Sequence, residues 1–399
     1  MSSPEIRLLD PEFYAGDPNP AYRWLRAHAP VHWDETYGVW GISRYRDLVA
    51  LEKNPARYSS GQGSRPRIPG NSTMIDSDDP KHGRQRRLIS GGLTPRAVRR
   101  IEPRVRALVT GLIDAVAARG ECEVVEDLAA ALPAMVIGEK LGFPPEMWRK
   151  CKWWSEITML SGGLHVPGGG LEMGEEMRLG GEAFAEFSRE VIALAAKRRS
   201  EPRDDLVSIW ANAEIDGRRM SDEELASEAL LVLDGGAETT RAVIATTVLD
   251  LIEHSDQRRR LVDDPGLMPG AVEEFLRWVS PILNMRRTAT EDHELEGRTV
   301  RAGDELLLMF ASANRDEEVF RDPESYDVGR RPNHHVAFGW GTHYCVGASL
   351  ARLEIRVMFE ELLRRLPDMR LTPGTEPKFV PNTFTRTPDA VHVEFTPER

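Results

Sequence analysis

The sequence predicts a mainly helical protein with small β-sheets, on three observations. Apolar residues recur at helical spacing through most of the chain between Lys81 and His254. A capping-box signature, Ser221-Asp-Glu-Glu, opens the most persistent of these patterns, which continues to about His254. Alternating apolar and polar residues are confined to short runs near the two ends of the sequence. No internal repeat or low-complexity linker breaks the chain, so a single domain over residues 1–399 is expected.

Taken in order, Ala21 to His28 reads as a short amphipathic helix. Val31-His-Trp and Gly38-Val-Trp-Gly-Ile read as an alternating hairpin, and Tyr45 to Glu52 is helical again. Thr94-Pro95 is a helix start, with the hydroxyl as cap and proline at the first position. That helix runs towards Gly120, with a kink or restart expected at Pro103. Helices follow over Leu132 to Leu141, Met147 to Leu160 and about Glu172 to Arg199, with a glycine-rich break from Ser161 to Gly170. Thr299 to Phe310 reads as strands around a turn, and Ala390 to Phe395 alternates.

The 399 residues carry a net charge of −12, which argues against a nucleic-acid binder. No apolar run is long enough for a membrane span, and the start has no signal-peptide pattern, so a cytoplasmic protein without a membrane anchor is expected. Three cysteines without CxxC spacing, Cys122, Cys151 and Cys345, exclude a disulfide framework and a structural zinc site. One stretch reverses the overall charge. Between Lys81 and Arg106, nine basic residues are opposed only by Glu102; such a run is either a solvated helix face or a docking site for an acidic partner.

Cys345 stands just before an apolar helix that begins at Ala348, where unpaired N–H groups and the helix dipole favour a thiolate. An isolated cysteine is more often a buried core residue, but the surrounding run decides otherwise. Phe338-Gly339-Trp340-Gly341-Thr342-His343-Tyr344-Cys345-Val346-Gly347 resembles the haem-binding loop of the cytochrome P450 family at every fixed position. The resemblance implies a triangular helical body with small sheets, and haem b between the long central helix and the Cys-loop helix. It makes Cys345 the axial iron ligand and gives His343 a haem propionate, with Phe338, Gly339 and Gly347 in the cradle.

Other features extend the likeness from about Phe13 to the end of the chain. Glu274 and Arg277, at i, i+3 on one helix face, resemble the family's Glu-x-x-Arg pair, which Arg330 would complete in a buried network. Tyr326 stands where phenylalanine is common. His82 and Arg86, at i, i+4, are implied as propionate partners, with Arg287 as the third and Arg286 as its competitor. The run Gly235-Gly236-Ala237-Glu238-Thr239-Thr240 places helix-weakening glycines where the family's central helix passes over the iron. A Thr239 hydroxyl bonded to the i−4 carbonyl would open the groove there, and Glu238 and Thr239 are assigned to a proton relay.

The resemblance implies a monooxygenase using dioxygen. No Gly-x-Gly-x-x-Gly fingerprint for a flavin or nicotinamide follows a strand, so electrons are expected from a ferredoxin and its reductase, docking on Arg84, Arg87, Arg99 and Arg100. Stretches such as Ala271-Val-Glu-Glu-Phe-Leu-Arg-Trp and Pro332-Asn-His-His-Val-Ala-Phe-Gly are similar to actinobacterial hydroxylases of the cholesterol and cholest-4-en-3-one side chain. By that analogy Ile75, Leu160, Leu233, Val279, Ile282, Leu283 and Phe384 line the substrate pocket, all apolar enough for a sterol, fatty acid or terpenoid. Ala237 departs from that subgroup, as does the glycine-rich loop from Gly162 to Gly170. A peroxide-using enzyme of the same fold would not need the Glu238–Thr239 pair, nor would a haem-binding sensor or carrier.

Overall fold

The computed structural model describes residues 4–71, 73–164 and 174–398. Its axis is the helix Asp222–Glu253, called here the central helix. Ser221 caps it reciprocally: the side chain accepts from the N–H of Glu224, whose carboxylate accepts from the N–H of Ser221. Apolar residues surround most of its length, so it lies inside the protein rather than on a face. Helices Ala131–Leu141, Trp148–Leu164, Glu175–Ser200, Met268–Val279 and Ala348–Arg365 pack around it.

Thr94 caps the helix Pro95–Ala117, accepting from the N–H of Ala97. This helix runs through Pro103 without a restart, because the proline sits on its exposed side. The expected break after Leu160 begins later. Ser161 and Gly162 belong to the last turns of Trp148–Leu164, and 165–170 lie outside the described residues.

The strands at the two ends of the sequence combine rather than forming separate sheets. Val31–Asp34, Val39–Ile42, Glu305–Leu308, Met285–Ala289 and Tyr58–Ser59 make one five-stranded sheet in that order. Only the Val39–Ile42 and Glu305–Leu308 pair is parallel. The two strands read around the turn at Gly303 therefore part company: Arg298–Val300 pairs with His293–Leu295, and Glu305–Leu308 enters the large sheet. A three-stranded sheet joins Arg370–Leu371, His392–Glu394 and Glu121–Glu123. No helix of the described residues is long and apolar enough to cross a membrane.

Candidate active site

The loop before Cys345 is closed by glycine. Gly339 and Gly341 take φ of +69° and +66°, and a Cβ at Gly341 would come within 2.5 Å of the Glu52 carbonyl oxygen. The Cys345 N–H donates to the Phe338 carbonyl at 2.9 Å, which folds the loop back on itself. Glu52, buried at the end of helix Tyr45–Glu52, accepts from the Trp340 N–H and from Arg287 Nη2 at 2.7 Å. One carboxylate thus ties the Cys loop to the sheet strand that carries Arg287.

Behind the loop, Glu274 and Arg277 are fully buried. Arg277 donates through Nε and Nη2 to both Glu274 oxygens at 2.8 Å, and through Nη1 to the carbonyls of Asn314 and Pro323. Arg330 Nε reaches the same carboxylate at 3.1 Å, and Asn333 and the Asp327 N–H complete it. Both Glu274 oxygens are thus bonded by more than one donor, as a buried ion pair requires. Tyr326 stacks beside Phe275, and its hydroxyl is buried without a partner, so the ring serves as a phenylalanine would.

Cys345 opens on a cavity of about 620 Å³. Burial pushes its thiol above the ordinary value, against the N–H groups of Gly347 and Ala348 and the guanidinium groups of Arg86 and Arg352. Burial therefore works against the helix N-terminus at this sulfur. Desolvation outweighs it, and coordination to a metal cation is what deprotonates such a thiol. Cys122 and Cys151 are buried, with thiols pushed up to about 12, and neither lines this cavity.

His82, Arg86, Arg287 and His343 all line the cavity. The His82 and His343 rings lie 4.1 Å apart. Burial, with Arg287, His82 and Arg86 close by, pushes His343 down to about 2; burial and Arg86 lower His82 as well. Four basic groups crowd one wall, and of these only Arg287 is bonded by the cavity-lining carboxylate Glu52. Such a set calls for a ligand bearing further carboxylates. Arg286 turns away, because neighbouring strand residues face opposite sides; it pairs with Glu305 at 3.0 Å and bonds the Gly63 carbonyl.

Phe338, Leu350 and Ala351 line the Cys side, and Gly235, Gly236 and Thr239 line the central-helix side. A Cβ at Gly236 would come within 2.7 Å of Ile137, whereas one at Gly235 would meet nothing within 4 Å. The first glycine therefore lets a helix pack, and the second leaves open space in the cavity. Thr239 Oγ1 donates to the Gly235 carbonyl at 2.8 Å, the i−4 bond expected of it. A thiol, two apolar faces and a basic wall fit haem, with its iron, its flat ring and its two propionates.

Glu238 does not line the cavity. Arg241 Nη1 donates to it at 2.9 Å and lies 3.1 Å from Glu156; Lys152 in turn reaches Glu156 at 3.2 Å and the exposed Glu126 at 2.6 Å. Burial raises Glu238 above the usual carboxylate range, opposed chiefly by Arg241.

Of the seven expected pocket residues, Ile75, Ile282 and Phe384 line the cavity, and Leu160, Leu233, Val279 and Leu283 do not. Leu233 and Val279 are packed in the helical core, and Leu283 in the cluster with Leu8 and Tyr22. On the central helix the cavity-lining residues include Ser227, Leu230, Leu231, Val232, Asp234 and Gly235, whereas Leu233 is packed in the core. Met159 stands where Leu160 was expected. Arg65, Asp234 and Glu52 also line the cavity, and no motif or spacing in the sequence singles them out.

On the outer face Arg87, Arg99 and Arg100 are exposed, and Arg84 is ion-paired with Asp216 at 3.1 Å.

The family profile for cytochrome P450 matches residues 266–395. The chain is 44% identical over its whole length to the steroid C26-monooxygenase of Mycolicibacterium smegmatis, covering 98% of that protein. It is 37% identical to the methyl-branched lipid omega-hydroxylase of Mycobacterium tuberculosis, over 92% of this chain and 91% of that one. Among solved structures, CYP109E1 from Bacillus megaterium in complex with testosterone superposes with a TM-score of 0.87 at 32% identity, over 96% and 98% of the two chains. With such likeness across the full length, around a cavity suited to haem, the chain belongs to the cytochrome P450 family and is a haem b-dependent monooxygenase.

Proposed function

We propose that this enzyme hydroxylates the terminal methyl of a sterol side chain, that of cholesterol or cholest-4-en-3-one, as one cytoplasmic P450 domain fed by a ferredoxin and its reductase. The observation that carries the reading is the cavity: apolar along Met74, Ile75, Met159, Leu230 and Ile282, and basic only where a haem needs partners and at Arg65. The steroid C26-monooxygenase relative supports the sterol, and the methyl-branched lipid omega-hydroxylase supports a second reading, terminal hydroxylation of a branched lipid chain. Three free thiols suit a reducing compartment.

In this reading Cys345 would hold the haem iron, and His82, Arg86, Arg287 and His343 would hold the propionates. Haem supplies the redox chemistry that activates dioxygen. The chain itself positions substrate and moves protons. Thr239 keeps its hydroxyl at the cavity, fixed by the Gly235 carbonyl. Glu238 lies behind it as a carboxylate that Arg241, which does not give up its own proton, holds towards Glu156 and the outer surface. Breaking that tie lets Glu238 exchange with solvent and hand a proton to Thr239. Gly235 leaves room for the oxygen molecule, and the apolar walls exclude water from the reaction. Arg87, Arg99 and Arg100 form the docking face for an acidic ferredoxin.

The test is spectroscopic. The reduced carbon monoxide complex is expected to show the red-shifted Soret band of thiolate-ligated haem, and Cys345→Ser to lose it. Titrating the ferric protein with cholest-4-en-3-one is expected to drive it to high spin. A normal band without a sterol shift would overturn the sterol, and a missing band would overturn Cys345 as ligand.

A further inference from the structure

Among the described residues, one cation lining the cavity is not accounted for by the haem partners. Arg65 lines it, and its guanidinium sits 4.6 Å over the Phe384 ring with Nη2 3.0 Å from Met159 Sδ. These contacts belong to the end of helix Trp148–Leu164 and to the loop around Phe384, and neither lies on the Cys loop or its helix. A thioether sulfur and a ring face are weak acceptors for a group with five N–H donors. Among the described residues no carboxylate is close enough to pair with it directly. Asp234 and Asp76 act on it only through the field, and burial lowers it from its ordinary value.

The neighbouring carboxyls decide what kind of partner fits. Asp76 is occupied by the N–H groups of Ser64 and Asn71. Asp234, on the cavity face of the central helix, accepts from Thr158 Oγ1 at 3.0 Å, and burial pushes it up to about 7. Asp76 and Asp234 thus act on Arg65 through their field, Asp234 only in part because burial favours its protonated form, and a full anion would meet both that field and the same cost of burial. A neutral oxygen acceptor meets no such opposition and takes the free N–H groups.

We propose that Arg65 is a specificity-determining residue that donates to a neutral oxygen, a ketone or ester carbonyl, on an otherwise apolar substrate. This rests on the reading that the cavity takes a lipophilic substrate over the haem. A site built around a desolvated donor penalises the analogue that lacks the acceptor, because that analogue strands the donor.

The experiment titrates the ferric holoenzyme with matched pairs and reads the spin shift: cholest-4-en-3-one against cholest-4-ene, and methyl hexadecanoate against hexadecane. In the natural protein the carbonyl member of each binding pair should bind about 10- to 100-fold tighter, the range of a hydrogen bond from a charged donor. Arg65→Met should erase that difference, weakening the carbonyl member and sparing or tightening the hydrocarbon member, which no longer strands a donor, and Arg65→Lys should restore part of it. An unchanged ratio in Arg65→Met, an equal loss for both members, or no binding by either pair overturns the proposal. Hexadecanoate favoured over its methyl ester in an Arg65-dependent way would overturn the neutral acceptor and assign an anion instead. If only the linear pair responds to Arg65, the sterol reading fails while the role of Arg65 stands.

Discussion

The two sides of the cavity are held together by different forces. On the Cys345 side, backbone and charge leave few alternatives: two glycines at positive φ, a carboxylate shared by Trp340 and Arg287, and the closed Glu274–Arg277–Arg330 cluster behind them. The far wall is assembled from apolar contacts between segments distant in sequence, with Ile75, Met159, Ile282 and Phe384 brought together around one lightly held cation. A cofactor that never leaves can be gripped by rigid, directional bonds. A substrate that must enter and leave is met by surfaces that repack at small cost.

Stability should expose the contrast most strongly. Glu274→Ala strands two buried guanidinium groups and is expected to cost about 3–5 kcal/mol in denaturant unfolding. Arg65→Met on the far wall should stay within about 1 kcal/mol of the parent, since its contacts are a sulfur and a ring face. Equal losses would mean the far wall is as rigid as the Cys side.

A pH series sharpens the comparison along a single helix. Asp234 faces the cavity and Asp250 lies outside it, bonded by Trp278 Nε1 at 3.1 Å; burial pushes both to about 7. Their folded values exceed the usual carboxyl value, so the native state keeps a proton that the unfolded chain releases. Stability should then fall as pH rises from about 4 to 7, each group contributing up to about 1.4 kcal/mol per pH unit. Asp250→Asn should remove its share of that slope. Asp234→Asn should remove less if water reaches the cavity wall, and an equal amount would mean that wall is dry.

Glu52→Gln tests how tightly the Cys side couples to the haem. It removes a buried negative charge beside Arg287 and should raise the ferric–ferrous midpoint potential, because adding an electron becomes easier. An unchanged potential in a redox titration would place Glu52 in a purely structural role. The smallest effect belongs to the outer face: Arg87→Glu with Arg99→Glu should slow reduction by ferredoxin severalfold at low salt, and the difference should shrink as salt rises.

What could be read in advance follows the same division. Thr94-Pro95 and Ser221 to Glu224 declare their helix starts because the caps and the residues they serve are neighbours. Glu274 and Arg277 share a helix face by spacing alone. Leu233 and Asp234 show the limit. Both sit on the central helix, and only packing against the surrounding helices decides that the leucine points into the core and the aspartate into the cavity. Leu160 and Met159 were exchanged for the same reason, a rotation of one residue about a helix axis.

By itself, then, the sequence determined the helical body, the Cys345 loop and the Glu274 network, because each is specified by residues close along the chain with fixed backbone demands. Tertiary structure alone decided that Glu52 reaches Arg287, that Arg286 turns away, and that Arg65 and Asp234 face the cavity. These depend on which way a strand or helix is turned when distant segments meet, and that orientation is set by how the whole core packs.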